Sequence, residues 1–235
     1  LQVFSKMRPM TLILPSLFSE LEGPALPNII DELQKVPYLS QIVIGLDRAN
    51  KEQYLHAGEF FGRLPQHHRI LWNDGPRLRA IDARLQEMGL APTEAGKGRN
   101  VWYCLGYTLA SRKSQAIALH DCDILTYSRE LLARLIYPVA NPGFNYQFCK
   151  GYYARVADGK INGRVCRLMV TPLLRALKKV FGSLDYLDYL DSFRYPLAGE
   201  FSFRTDVVHD LRIPSDWGLE IGILSEMYRN YSTNR

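Results

Sequence analysis

Hydrophobic positions in the first half of the chain gather into four short runs separated by amphipathic stretches. Met10-Thr-Leu-Ile-Leu14, Gln41-Ile-Val-Ile-Gly-Leu46, Arg69-Ile-Leu-Trp72 and Gln115-Ala-Ile-Ala-Leu119 are almost continuously apolar. Runs of this length, bounded by turn residues, read as buried strands. Between them, residues 26–36, 51–61, 76–88 and 99–111 read as helices. Pro76 suits the first position of its helix, and Asn73-Asp74-Gly75 the turn before it. Alternation of this kind over residues 1–125 predicts a parallel sheet with helices on both faces. Ligands of such sheets bind beyond the carboxyl ends of the strands.

The rhythm changes after residue 125. Residues 144–156 read as a longer, partly alternating strand, and residues 158–163 as a turn or mobile loop. Thr171-Pro172 reads as a helix start with Thr171 as its cap, Lys178 and Lys179 in the last turn, and Gly182 as the stop. A further strand is expected around Gly199-Glu200-Phe201, and a last helix over residues 218–228. Asp185-Tyr-Leu-Asp-Tyr-Leu-Asp191 is a local repeat, not a sustained one. No linker composition separates the halves, so the chain reads as one continuous α/β domain with parts 1–125 and 126–235.

Composition narrows the classes. The 235 residues are 47% hydrophobic and 23% charged, as in an ordinary globular domain. A net charge of +5 is mild, and the basic residues are scattered rather than striped with aromatics. A small anionic substrate accounts for that excess, and a nucleic-acid partner is disfavoured. No run of about 18 apolar residues suggests a membrane span. Cys104, Cys122, Cys149 and Cys166 form no CxxC pair, so reduced thiols in a cytoplasmic protein are expected. The first residue is Leu1, and the polar end stops just after a helical pattern, so more chain is expected beyond Arg235.

Chemistry concentrates after the fourth strand. Asp121 and Asp123 sit two apart, so an extended chain turns both carboxylates to one side. Two such oxygens suit Mg²⁺ or Mn²⁺, which keeps positions open for substrate phosphates. Asp-x-Asp recurs by chance, as a polar turn, but its place at a strand end favours the metal reading. Gly96-Lys97-Gly98 lets backbone and one ammonium approach an anion at a helix start; taken alone, it reads rather as a solvated lysine. Glu20 and Asp47 follow strands one and two, where carboxylates accept from ribose or base, or simply sit at helix starts. Arg155, Arg164 and Arg167 surround a glycine-containing loop, as an anion fork or a solvated face. His67-His68 lacks a ligand partner, and His120 stands beside the acidic pair as support. No GxSxG elbow or Ser-His-Asp arrangement is visible.

An ordered set of pieces resembles the glucosyl-3-phosphoglycerate and mannosyl-3-phosphoglycerate synthases, retaining glycosyltransferases of the GT-A fold. The pieces are Pro15-Ser-Leu17 with Glu20, Ala95-Gly-Lys-Gly98 with Trp102, Asp121-Cys-Asp123, and Lys150-Gly-Tyr-Tyr153. They continue with Gly163-Arg-Val165, Pro172-Leu-Leu174 with Arg175, Pro196-Leu-Ala-Gly-Glu-Phe201 and Trp217-Gly-Leu-Glu220. The resemblance implies a GT-A-type, Rossmann-like mixed sheet, with a nucleotide-sugar-binding half at 1–125 and an acceptor-binding half at 126–235. It implies hexose transfer, glucose or mannose, from a UDP-, GDP- or ADP-hexose to 3-phosphoglycerate. Pro15, Leu17, Glu20 and Asp47 would hold the nucleoside, and Lys97 the diphosphate side. Asp121, Cys122 and Asp123 would serve ribose, sugar and metal. Arg164, with the backbone near Cys166 and Gly199, would hold the acceptor's anionic groups. The carbonyl of Leu197 would lie beside the acceptor hydroxyl and sugar C1, with Glu200 and Glu220 shaping the sugar pocket. The catalytic set is then Leu197, Asp121 and Glu220, and the metal set Asp123 and Asp121.

Three positions depart from that pattern. Phe18-Ser19 stands where the family carries Asn-Glu, and Cys166 where it often carries Thr. The His that completes the family's metal shell has no match, and is expected beyond Arg235. A homodimer is compatible with the resemblance. A transferase with a different acceptor, and a non-catalytic nucleotide-sugar-binding module, remain as rival readings. A nucleotidyltransferase is disfavoured because residues 14–22 lack a glycine-rich signature.

Overall fold

Each apolar run becomes a strand of one mixed sheet. The computed structural model describes residues 1–91, 94–153, 156–157, 160–161 and 163–232, the side chains at 156–157 and 160–161 excepted. A short helix α1 (Gln2–Met7) leads into β1 (Met10–Leu17), α2 (Ala25–Leu33), β2 (Leu39–Asp47), α3 (Lys51–Phe61) and β3 (His68–Trp72). Next come α4 (Pro76–Glu87), α5 (Lys97–Ser111), β4 (Ala116–Leu119) and α6 (Arg129–Ala140). The second half carries β5 (Phe148–Lys150), a small ribbon of β6 (Val156–Ala157) and β7 (Lys160–Ile161), then α7 (Thr171–Phe181) and α8 (Asp185–Ser192). It closes with β8 (Phe201–Arg204) and α9 (Leu219–Asn230). The main sheet runs β3-β2-β1-β4-β8-β5. Its first four strands are parallel; β8 is antiparallel to both β4 and β5.

Alternation along the strands sends side chains to two cores. Leu12, Leu14, Ile42, Ile44 and Ala118 pack on one face with residues of α2, α3 and α6. Ile13, Val43, Ile117, Leu119, Phe201 and Phe203 pack on the other with residues of α5 and α9. Strands buried on both faces are why the sequence reads as continuous apolar runs rather than as alternation. Helix α3 begins where expected because Asn50 and Gln53 cap each other reciprocally, at 2.9 and 2.8 Å.

Some expectations need correction. Of the strand expected over 144–156, Phe148–Lys150 forms β5, the part that finds a partner in β8, Val156 opens the separate strand β6, and residues 154–155 lie outside the described residues. Thr171 is not a cap: helical backbone already runs from residue 164, through a π turn at Cys166–Val170, into α7. Pro172 lacks an N–H and crowds the turn before it, and a widened turn relieves both. The strand expected around Gly199 begins at Phe201, so Gly199 and Glu200 form its approach.

Two distant segments meet at the start of α5. Gly98 lies so close to the chain at Pro214 that an added Cβ would collide with the Pro214 carbonyl oxygen. Arg99 N–H donates to the Ser215 carbonyl at 2.7 Å. Because the obstacle at Gly98 is backbone, no rotamer change relieves it. Gly98→Ala is therefore expected to destabilise the fold by about 1–3 kcal/mol, the usual range for overpacking. Urea unfolding checks this, and a variant as stable as the parent would show the approach to be looser.

Candidate active site

Strands β1, β2 and β4 run parallel, so the residues that follow them arrive at one rim. A cavity of about 370 Å³ opens there. It is lined by Pro15, Leu17 and Glu20 after β1, Asp47 of β2, Lys97 of α5, and Asp121, Cys122 and Asp123 after β4. Glu220, in the first turn of α9, completes the set. Nine of the residues singled out from the sequence thus share one cavity.

Lys97 is the centre of the charge arrangement. Its Nζ lies 2.6 Å from Asp121 Oδ1 and 2.9 Å from Glu220 Oε1. Burial alone would lower its pKa; the two carboxylates outweigh that and hold the ammonium charged well above the usual lysine range. Lys97 reaches both because the N-terminal ends of α5 and α9 are brought together by the Gly98–Pro214 contact.

The other carboxylates differ in freedom. Asp123 is exposed, at the cavity wall. Glu20 Oε2 accepts from the Leu17 N–H at 2.9 Å, which fixes the turn after β1. Burial raises the Glu20 pKa, and the charges of Asp123 and Asp121 add to the rise. Asp47 is buried, and burial followed by nearby Asp74 raises it as well. Cys122 points away, into the core on the α2 side, where burial pushes its thiol up. His120 is fully buried against Tyr127, with neither ring nitrogen hydrogen-bonded, and burial pushes it down to about 3. It is a neutral core ring.

Sequence reasoning missed part of the wall. Arg48 lines the cavity from a left-handed backbone position, φ 54°. Buried Asn100 donates to the Gly45 carbonyl at 2.8 Å and ties α5 to β2 behind the cavity. Asp216, Trp217, Gly218 and Leu219 form the far wall, with the Trp217 indole 90% exposed at the mouth. No local signal marks Arg48 or Asn100. The Trp217-Gly-Leu-Glu220 piece was the only hint of the far wall.

Five residues lie outside this cavity. Gly199 packs so tightly on Asp121 that a Cβ there would strike its carboxylate. Leu197 precedes it, half-buried. Glu200 is fully buried and lines a neighbouring cavity of about 530 Å³ with Lys150 and Tyr153. Tyr153 Oη donates to Glu200 Oε1 at 3.1 Å. Arg164 is exposed and Cys166 buried, and neither joins the wall around Asp121. Arg155 lies outside the described residues.

Asp121 and Asp123 offer hard oxygen donors to one space, which fits Mg²⁺ or Mn²⁺. Among the described residues, no three His, Cys, Asp or Glu side chains are grouped to hold an ion. An ion here would take its remaining ligands from substrate phosphates and water. Among the described residues, no helix is long and apolar enough to cross a membrane.

No family model matches the chain. A glucosyl-3-phosphoglycerate synthase of Persephonella marina is 49% identical over 235 residues, 100% of this chain and 58% of that protein. One of Methanococcoides burtonii is 45% identical over 231 residues, 97% of this chain and 56% of that protein. The chain thus spans somewhat over half the length of these curated relatives. Among solved structures, glucosyl-3-phosphoglycerate synthase from Mycobacterium tuberculosis in complex with Mn²⁺, UDP and glucosyl-3-phosphoglycerate aligns with a TM-score of 0.69 at 19% identity. That alignment covers 99% of this chain and 70% of the other. The same enzyme in complex with Mn²⁺, UDP-glucose and phosphoglyceric acid gives 0.67 at 19% identity, over 97% and 68%. At that identity the likeness shows the fold, that of a GT-A glycosyltransferase.

Proposed function

We propose, for a chain that belongs to the glucosyl-3-phosphoglycerate synthase family, that it carries the metal-dependent site transferring a hexose from a nucleotide-sugar to 3-phosphoglycerate. The observation that carries this reading is the meeting of Lys97, Asp121, Asp123 and Glu220 in one cavity at the carboxyl ends of parallel strands. UDP-glucose is the donor we favour, since the aligned enzyme is described with UDP-glucose and phosphoglyceric acid. The halves 1–125 and 126–235 are read as donor and acceptor parts of one domain, with Trp217 to Glu220 crossing over to the donor side. A cytoplasmic location is our reading of its four free cysteines.

Asp123, with Asp121, would hold a divalent ion, which supplies charge neutralisation to the diphosphate as it leaves. Pro15, Leu17, Glu20 and Asp47 line the end where the nucleoside fits. Lys97 exchanges part of its contact with Asp121 and Glu220 for a phosphate oxygen. Its ammonium then stabilises the charge that grows there. Glu220 orients the sugar hydroxyls. The bond from sugar C1 to the diphosphate oxygen breaks, and a bond from C1 to the acceptor hydroxyl oxygen forms on the same face. The acceptor proton passes to the departing diphosphate. Leu197 and Gly199 supply backbone beside that exchange, and Arg164 with Cys166 takes the acceptor's anionic end. Orientation of the two substrates supplies much of the barrier reduction.

A donor panel with 3-phosphoglycerate tests this, read as nucleoside diphosphate release. UDP-glucose with Mg²⁺ or Mn²⁺ is expected to turn over, and chelation to reduce the rate by about a hundredfold or more. Absence of release with every donor would overturn the assignment. Donor binding without transfer would favour the binding module instead.

A further inference from the structure

The motif Lys150-Gly-Tyr-Tyr153 has no part in the chemistry above, yet it is bolted to the approach of β8. Lys150 Nζ donates to the Ala198 carbonyl at 2.6 Å. Gly151 N–H donates to the Glu200 carbonyl at 2.8 Å. A side chain at Gly151 would press on that same Glu200 backbone, its Cβ 2.9 Å from the carbonyl oxygen. Between those two anchors lies Gly199, packed on Asp121. The ammonium therefore grips the middle of a short segment, residues 197–200, whose other side touches Asp121. The ring of Phe201 lies 5.3 Å beneath the same Nζ.

Resting on the reading of sugar transfer above, we propose that Lys150 is a positioning residue: its ammonium, through the Ala198 carbonyl, sets the 197–199 backbone against Asp121. The role differs from that of Lys97, which faces the donor cavity directly. Lys150 lines the neighbouring cavity instead. A charged donor holds a carbonyl about twice as strongly as a neutral one. Burial pushes the Lys150 pKa down to about 8, against the attraction of Glu220, Glu200 and Asp121 and with the repulsion of Lys97. Those four groups come from α9, the β8 approach, the turn after β4 and α5. The grip is accordingly full well below about pH 8, half lost at it and lost well above it.

The test compares Lys150→Met and Lys150→Arg with the parent. In Lys150→Met, kcat is expected to fall about 10- to 100-fold, as for a misplacement on the ångström scale, with UDP affinity by calorimetry unchanged. Lys150→Arg is expected to recover most of that loss. The parent's kcat should decline above pH 8, and that decline should vanish with arginine, which stays charged. Amide hydrogen exchange at residues 198–200 should quicken in Lys150→Met while β8 stays protected. Parent-like kcat in the methionine variant overturns the proposal, as does equal loss of kcat and UDP binding, or an arginine variant with the parent's alkaline decline. If the parent itself transfers no sugar, the functional reading fails, and the exchange measurement alone decides whether Lys150 holds the segment; unchanged exchange overturns it.

Discussion

Alanine at position 123 is expected to lower sugar transfer by about a thousandfold or more, with little change in stability. A bound divalent ion contributes several kcal/mol to a departing phosphate's stabilisation, and about 4 kcal/mol corresponds to a thousandfold in rate. Asp123 is the carboxylate freest to hold it. Asp121 already has Lys97 at 2.6 Å and Gly199 packed against it. Asp123 is exposed and lines the cavity. Its removal leaves no buried charge unpaired, so the fold should tolerate it. Steady-state UDP release, together with Mn²⁺ binding by electron paramagnetic resonance, measures both parts. Transfer within tenfold of the parent would mean that the ion, if used, is held elsewhere.

The second large effect is expected at Lys97. Lys97→Met should reduce transfer by about 100- to 1,000-fold, the range seen when one preorganised charge partner is removed from a developing anion. The variant differs from Asp123→Ala in a second respect. Among the described residues, Lys97 alone bridges Asp121, from the end of β4, and Glu220, from the start of α9. Without it, two half-buried carboxylates face each other with no shared cation. UDP affinity should fall and the thermal midpoint should drop, whereas Lys97→Arg should restore the midpoint more than the rate. An arginine fork pairs with carboxylates but cannot reproduce the compact ammonium. Undiminished UDP binding in Lys97→Met would exclude the diphosphate contact.

Legibility differed between the two halves for physical reasons. Strands β1, β2 and β4 were readable because each is buried on both faces, so nearly every position is apolar or small, Gln41 and Asp47 of β2 excepted. Helix α3 was readable to the residue because its capping box is local. Helix α8 was noticed only as a repeat, although the three-residue spacing of Leu187 and Leu190 puts both on the face toward α7 and α9. Helix α6 was not read at all, and Pro138 within it disguises the pattern. The start of α7 was misplaced because Pro172 imitates a first-turn proline while standing inside a longer helical run. For the site, Glu20, Asp47, Asp121 and Asp123 were legible because they follow or end strands that arrive at one rim. The wall at residues 216–219 was not, because it depends on a contact between Gly98 and Pro214, which lie far apart along the chain.

The reversed direction of β8 has its own consequence for change in this protein. In the parallel strands the tail end meets the cavity; in β8 it is the head. Pairing of Leu119 with Phe201 thus places the exit of one strand and the entry of the other side by side. A one-residue slip there would exchange the faces of Phe201 and Ser202, and would drag Gly199 off Asp121 in the same movement. Folding error and lost chemistry are therefore a single event at this seam. Variation has room to accumulate in the exposed loops, whereas the short path from Leu197 to Phe201 can change neither its length nor its bare glycine at 199.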